Sequence, residues 1–257
     1  MRITFLGSGT SHGVPIIGCS CDVCRSQDPR NKRLRPSILV ENEERHVLVD
    51  TTPDLRTQAL RQGLTRVDAV LMTHTHADHV FGMDELRRFN DLMKAAIPVY
   101  GDERSLADIR RIFEYVFVPT QMGGGKPRLH LVPAPARFEL CGLAVQAIPV
   151  LHGVLPILAY RFNDVAYVTD VSHIPPASMA QLLGLDILIL DTVHPAPHAT
   201  HFGLKQALEV ITALGPRRAF LTHLSHKYDH AKTDAELPDR VRLAYDGLTL
   251  ESPPDRF

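Results

Sequence analysis

Residues 71–80 read LMTHTHADHV, and this stretch limits the folds open to the chain more sharply than any other. Three histidines and one aspartate (His74, His76, Asp78 and His79) follow directly behind an apolar run. Imidazoles crowded in this way repel one another when protonated, whereas neutral imidazoles beside a carboxylate make a good cage for a first-row metal ion. The pattern H-x-H-x-D-H starts at a predicted strand end and runs into a predicted helix. Residues two apart on an extended segment share a face, so His74 and His76 can hold one ion. Asp78 and His79, on the following turn, can reach a second ion nearby. One or two such histidines would read as a solvated polar turn, but four ligand-type residues at this spacing do not.

The rest of the chain supplies a frame for such a site. Short β-type runs recur at 3–9, 37–41, 46–50, 69–74, 97–101, 129–133, 143–150, 157–162, 165–170, 186–192 and 218–223. Apolar residues at helical spacing appear in 54–62, 103–116 and 203–214. This alternation predicts a sheet-rich α/β protein with helices on the outside. No Ser/Gly linker or shift in composition divides it, so a single domain over 1–257 is expected. The predicted strands end repeatedly in ionisable residues: Asp50, His74, His152, Asp170, Asp191 with His194, and His223 with His226. A strand end aims side chains from rigid backbone into a shared edge, which is where sites form in α/β folds. The loop QMGGGKPR at 121–128 reads as a surface loop, its glycine triplet being weak evidence for phosphate binding.

Charge and cysteine usage narrow the partners. The formal net charge of −1 gives no reason to expect nucleic acid, which calls for a basic excess. No apolar stretch approaches a membrane span and the first residues lack a signal-peptide core, so a cytoplasmic protein with no membrane partner is expected. Three of the four cysteines, Cys19, Cys21 and Cys24, lie at C-x-C-x-x-C spacing, while Cys141 stands alone. In a reducing compartment this cluster suggests metal more than disulfide. Tetrahedral zinc needs a fourth ligand, for which Cys141 and several histidines are candidates.

H-x-H-x-D-H behind an apolar strand resembles the motif of the metallo-β-lactamase superfamily. That resemblance implies an αββα sandwich of two mixed sheets flanked by helices, and two Zn or Mn ions in the active site. It also implies the remaining ligands: His152 of LHG, Asp170 of YVTD and His223 of LTH. One ion would take His74, His76 and His152, the other Asp78, His79 and His223, with Asp170 shared. GTSHGVP followed by GCSCDVC, with LTHLSHKYD late in the chain, further resembles the PhnP-type phosphodiesterases, which act on 5-phosphoribosyl 1,2-cyclic phosphate. The resemblance to that group implies one structural zinc on Cys19, Cys21, Cys24 and His226, stapling the loop at 18–36 beside the active-site strand end. Cys141 is then left over as a buried, apolar-type residue. It also implies that His201, ahead of the helix at 203–214, lies near the metals without ligating them.

The expected function is hydrolysis of a small, ribose- or nucleotide-like and cyclic phosphodiester by a metal-bridging hydroxide. Asp78, with Asp170, would keep the metal pair near neutral, and His201 would assist the departing oxygen. The segment VFGMDELRRFND departs from the PhnP-type pattern. Arg87, Arg88 and Asn90 there are candidates for contact with a substrate phosphate, against the plainer reading of a solvated helix face. Three rivals share features of the chain: a tRNA 3′-processing endonuclease, a PqqB-type cofactor-biosynthesis protein, and a metal-binding protein without turnover. Relatives of this type are often dimers, so a homodimer is open to this chain.

Overall fold

Alternation along the strands decides how the layers stack. In the computed structural model, which describes residues 1–119 and 125–252, β1 (Arg2–Gly7) sends Ile3 and Phe5 to one face and Leu6 to the other. β2 (Ser37–Asn42) and β3 (Arg45–Val49) do the same, with Ile38, Val40, Val47 and Val49 inward and Leu39 and Leu48 outward. A period of two with apolar residues on both faces requires cover on both sides. The inward face meets a second sheet, and the outward face is covered by helices.

The first sheet runs β14–β1–β2–β3–β4–β5–β6, where β4 is Ala69–Leu71, β5 Ile97–Gly101, β6 Leu129–Pro133 and β14 Thr249–Glu251. The second runs β13–β12–β11–β10–β9–β8–β7. Its strands are β7 (Arg137–Leu140), β8 (Leu143–His152), β9 (Leu155–Phe162), β10 (Val165–Val168), β11 (Ile187–Asp191), β12 (Arg218–Thr222) and β13 (Val241–Leu243). In each sheet one half pairs antiparallel and the other half, β3 to β6 and β10 to β13, pairs parallel. Between the sheets lie Phe5, Val40, Leu71, Tyr160, Tyr167, Ile189 and Phe220. The helices α2 (Leu55–Gln62), α4 (Leu86–Met93) and α5 (Glu103–Ile112) pack on the first sheet's outer face, and α8 (Leu204–Leu214) on that of the second. This is the two-sheet sandwich with flanking helices expected from the sequence.

Three differences from the expected elements have local causes. The run at 69–74 is a strand only to Leu71, because Thr73 N–H turns to the Asp50 carboxylate (2.8 Å). The helical pattern at 103–116 breaks at Phe113, giving α5 and the short α6 (Glu114–Phe117). The strands β7, β13 and β14 are too short to show a period. Of the loop at 121–128, residues 121–124 lie outside the described residues; Lys126 donates to the carbonyls of Tyr115 and Val118. No helix among the described residues is long and apolar enough to cross a membrane.

Candidate metal centre and active site

The parallel strands of both sheets end at one edge, and their last residues carry the donors. After β3 comes Asp50, after β4 the segment from Thr73 to His79, after β10 Asp170, and after β12 His223. β8 ends on His152 and β11 on Asp191. Asp50, Asp170 and His223 each hold a left-handed backbone, with φ of 62°, 56° and 60°. Such a conformation is strained for a residue with a Cβ and persists only where the surroundings fix it. The short α3 (Ala77–Val80) then carries Asp78 and His79. Its approach to the first sheet depends on Gly82, where a Cβ would come within 1.9 Å of Thr52 O.

Two sets of donors converge there. His74, His76 and His152 form one, and Asp78, His79, Asp170 and His223 the other, with donor atoms in each set within 4.8 Å of one another. Asp170 also groups with His152 and His201, so its carboxylate stands between the two sets. Its oxygens lie 3.2 Å from His79 Nε2 and 3.3 Å from His223 Nε2, while Asp78 Oδ2 lies 3.4 Å and 3.7 Å from the same nitrogens. All of these side chains are buried except His76.

Three of the rings, those of His74, His79 and His152, are held by their far nitrogens. His79 Nδ1–H donates to Asp50 Oδ2 (2.7 Å), and His152 Nδ1–H to Thr200 O (2.7 Å). His74 Nδ1 is 3.0 Å from the Thr73 hydroxyl, which itself donates to Asp50 (2.8 Å). In the neutral form of each ring these contacts keep the proton on Nδ1 and turn the Nε2 lone pair toward the cluster, the tautomer a metal ligand needs. Asp191 holds one ring, His201, whose Nδ1–H donates to Oδ2 (2.8 Å), and its Oδ1 lies 3.5 Å from His223 Nδ1 without a hydrogen bond.

The residues fit divalent ions by two observations. First, His74 Nε2, His79 Nε2 and His223 Nε2 are buried without a hydrogen-bond partner, which native interiors rarely tolerate. Second, the cage draws positive charge. Burial by itself would lower His79 and His223, yet Asp170 and Asp78 outweigh it, raising His79 well above its ordinary value and His223 to about 9. His74 is instead held well below its ordinary value, first by burial and then by His79.

A second cluster joins the N-terminal loop to the segment after β12. Cys19, Cys21 and Cys24 Sγ lie 3.3, 3.6 and 3.6 Å from His226 Nδ1. Tetrahedral zinc with ordinary Zn–S and Zn–N bonds separates sulfur from nitrogen by about 3.5 Å, so the set fits that ion. Arg33 locks this junction. Its buried guanidinium donates to Ser225 O (2.9 Å), Tyr228 O (2.8 Å) and Asn31 Oδ1 (2.9 Å). Cys141 is half-buried, away from this group, and packs against the core between the sheets.

The sequence-predicted donors all fall in these clusters, whereas the suggested phosphate contacts on α4 do not. Asn90 is buried, and its amide bonds Ala95 O, Arg128 O and Arg128 N, so no polar atom is left for a substrate. Arg87 pairs with Asp84 at 3.1 Å. Conversely, the sequence reading placed Asp50 and Asp191 at strand ends but gave them no part in the site.

The family model described as a β-lactamase superfamily domain matches residues 45–224. Over 256 residues the chain is 38% identical to an octanoyltransferase of Porphyromonas gingivalis, covering 96% of this chain and 51% of that protein. The chain thus spans about half the length of that relative. It is 40% identical over 273 residues to a ribonuclease Z of Methanopyrus kandleri, covering 86% of this chain and 93% of the other. A solved structure of a diphosphatase from the PhnP family superposes with a TM-score of 0.92 at 41% identity, covering 98% of each chain.

Proposed function

The chain belongs to the β-lactamase superfamily domain family, and from that premise we propose that it is a metal-dependent hydrolase that cleaves a phosphodiester linkage in a small ribose- or nucleotide-like molecule, using two ions held at the strand-end edge. The observation that carries this reading is the pair of donor sets, buried except for His76, with Asp170 between them. His74, His76 and His152 would hold one ion and Asp78, His79 and His223 the other, with Asp170 shared. Imidazole and carboxylate donors suit Zn²⁺ or Mn²⁺. Bound there, such ions supply Lewis acidity toward phosphate oxygens and an activated water.

The chain's own residues do the rest. Asp78 and Asp170 bring negative charge that offsets the ions and keeps the site near neutral. Asp50, Thr73, Thr200 and Asp191 fix the rings so that no reorientation is needed during reaction. His201 is buried beside the set, its Nδ1–H bound to Asp191 and its ring 4.6 Å from that of His152. Its Nε2 is the atom placed to pass a proton to the departing oxygen. Cys19, Cys21, Cys24 and His226 would hold a structural zinc that fixes the loop beside His223.

A tRNA 3′-processing endonuclease is the second reading, favoured by the ribonuclease Z relative that the chain covers almost entirely. The net charge of −1 speaks against a large nucleic-acid partner. Metal-loaded protein assayed on bis(p-nitrophenyl) phosphate, a cyclic ribose phosphate and a precursor tRNA separates the two. Metal-dependent turnover of the small esters is expected, and turnover of the tRNA alone favours the second reading. No metal-dependent turnover on any of the three refutes both.

A further inference from the structure

His76 is the exposed member of the two donor sets, and no hydrogen bond within the described residues holds its ring. His74, His79 and His152 are each anchored by Nδ1, and His223 is buried with the ring of His201 stacked 4.9 Å away. The ring of His76 nevertheless faces its two partners, 4.6 Å from His74 and 5.1 Å from His152 between centroids. It stands at the N-cap of α3 on extended backbone (φ −63°, ψ 154°), and its side chain makes no capping bond. Its position is therefore set by the backbone that carries it.

That backbone is gripped from outside the cage. On an extended segment His74 and His76 share a face, so the residue between them points the opposite way. Thr75 Oγ1–H there donates to Asp108 Oδ2 (3.0 Å), and Arg111 donates to Asp108 Oδ1 (2.7 Å), so both carboxylate oxygens are used. Asp108 lies on α5, which is itself fixed. Asp102 caps it by accepting from Ser105 N–H (2.8 Å), and Leu106 and Ile109 are buried on the outer face of the first sheet. Met72 N–H, just ahead of the motif, donates to Tyr100 O (2.8 Å), which joins the strand end to the approach to α5. The other half of the motif has separate supports: His79 Nδ1–H on Asp50 (2.7 Å), and Thr51 N–H on His79 O (2.8 Å).

We propose that Asp108, through Thr75, is a positioning residue for one ion of the pair: it holds His76 in place for the ion shared with His74 and His152, and has no hold on the ion of Asp78, His79 and His223. The inference rests on the two-ion reading of the cage and deepens it, because it makes the two ions separately adjustable. A ligand with no anchor of its own must be ordered as the ion binds, at a cost in conformational entropy, unless its backbone has been fixed beforehand. The Thr75–Asp108 bond does that fixing, in the place of the ring anchor that His76 lacks.

The test uses the full chain with the cysteine site kept loaded. Zn²⁺ binding to the emptied cage is followed by calorimetry with a competing chelator, and Co²⁺ binding by its visible absorption. His76→Ala and Asp78→Ala, each lacking a ligand of one ion, assign the two binding steps. In Thr75→Val, which keeps the shape and loses the hydroxyl, and in Asp108→Ala, affinity for the His76 ion should fall by about tenfold. The other ion should stay within about threefold of the parent. Thr75→Ser should bind both ions like the parent, and the double variant Thr75→Val/Asp108→Ala should be no weaker than either single change, since both act through one bond. Equal weakening of the two ions, no weakening of either, or a Thr75→Ser as weak as Thr75→Val overturns the positioning role and leaves the two-ion reading standing. A parent cage that takes only one ion removes that reading and the inference with it. Selective weakening without turnover of any diester supports the role of Asp108 while the hydrolase reading falls.

Discussion

Replacing Asp191 by asparagine tests whether a residue outside both donor sets controls the site. Its carboxylate is fully buried and accepts from His201 Nδ1–H (2.8 Å) and Val171 N–H (3.1 Å) through Oδ2, with His223 Nδ1 3.5 Å from Oδ1. An amide of the same shape offers one acceptor and one donor in place of two acceptors. With its oxygen toward His201, its NH₂ faces His223 Nδ1 and favours the tautomer whose Nε2 carries the proton and cannot ligate. With the amide flipped, His201 loses its anchor and Val171 N–H is left unpaired. Either outcome removes a charge-assisted hydrogen bond of about 1.5–3 kcal/mol, or roughly a 10- to 150-fold effect. Loss of a partner behind a metal ligand typically falls in the range of about 10–100-fold in affinity or activity. Asp191→Asn should therefore lower kcat/KM on bis(p-nitrophenyl) phosphate by about 10- to 100-fold, or weaken metal binding to a similar extent in a chelator competition. Its melting temperature should stay close to that of the parent. Parental activity and metal affinity together, within about threefold, would refute the argument, since they would mean that neither ring depends on Asp191.

Other perturbations probe the frame around the site. Cys21→Ser should lower bound zinc by about one ion per chain, read by metal analysis, because a closed site needs all four ligands. Arg33→Ala removes three buried charge-assisted hydrogen bonds, to Ser225 O, Tyr228 O and Asn31 Oδ1, and should destabilise the protein by about 3–5 kcal/mol in urea unfolding. Arg33→Lys should recover only part of this, since one ammonium does not reproduce the guanidinium fork. Burial holds His230 down at about 4, so the folded state resists a proton that the unfolded chain takes up below about 6.5. Its contribution is fully present above that range and declines as the pH falls toward 4, by about 2 kcal/mol at pH 5. In His230→Asn, unfolding between pH 7.5 and pH 5 should be less steep in pH by that amount. Equal slopes in the two proteins would show that this ring does not carry the effect.

The sequence revealed what depends on residue type at fixed spacing. His74, His76, Asp78 and His79 are adjacent in the chain, and the three thiols are separated by a single turn, so both clusters could be read before any fold was known. The supporting carboxylates were legible only as strand ends. Asp50, Asp170 and Asp191 all follow apolar strands, and nothing in the chain separates an aspartate facing the cage from one gripping the back of an imidazole. That difference lies in which way the side chain leaves the sheet edge. Arg33 was hidden in the same way: in RNKRLRPS it reads as one of several solvated charges, yet it is 1% exposed while Arg30 and Lys32 stay near the surface. Asn90 erred in the opposite direction. It looked like a free polar group on a helix, but it closes the turn between α4 and the approach to β6.

The electrostatics of the cage imply that loading it is a proton exchange as well as a binding event. Before an ion is present, Asp78 and Asp170 hold His79 well above its ordinary value and His223 at about 9, so both rings carry a proton at pH 7. His74 and His152 are lowered, first by burial, and are neutral at that pH. An ion requires the lone pair of each imidazole it takes, so binding on the carboxylate-rich side must expel the protons of His79 and His223. Binding on the side of His74 and His152 expels none from those two rings. With the cysteine site kept loaded, calorimetric titration of the metal-free cage in two buffers of different ionisation heat should show about two protons released per chain at pH 7. The release should diminish above about pH 9, where His223 is already neutral before the metal arrives. Metal binding with no proton release at pH 7 would mean that the carboxylates do not charge these rings, and that the cage is held open by hydrogen bonds alone.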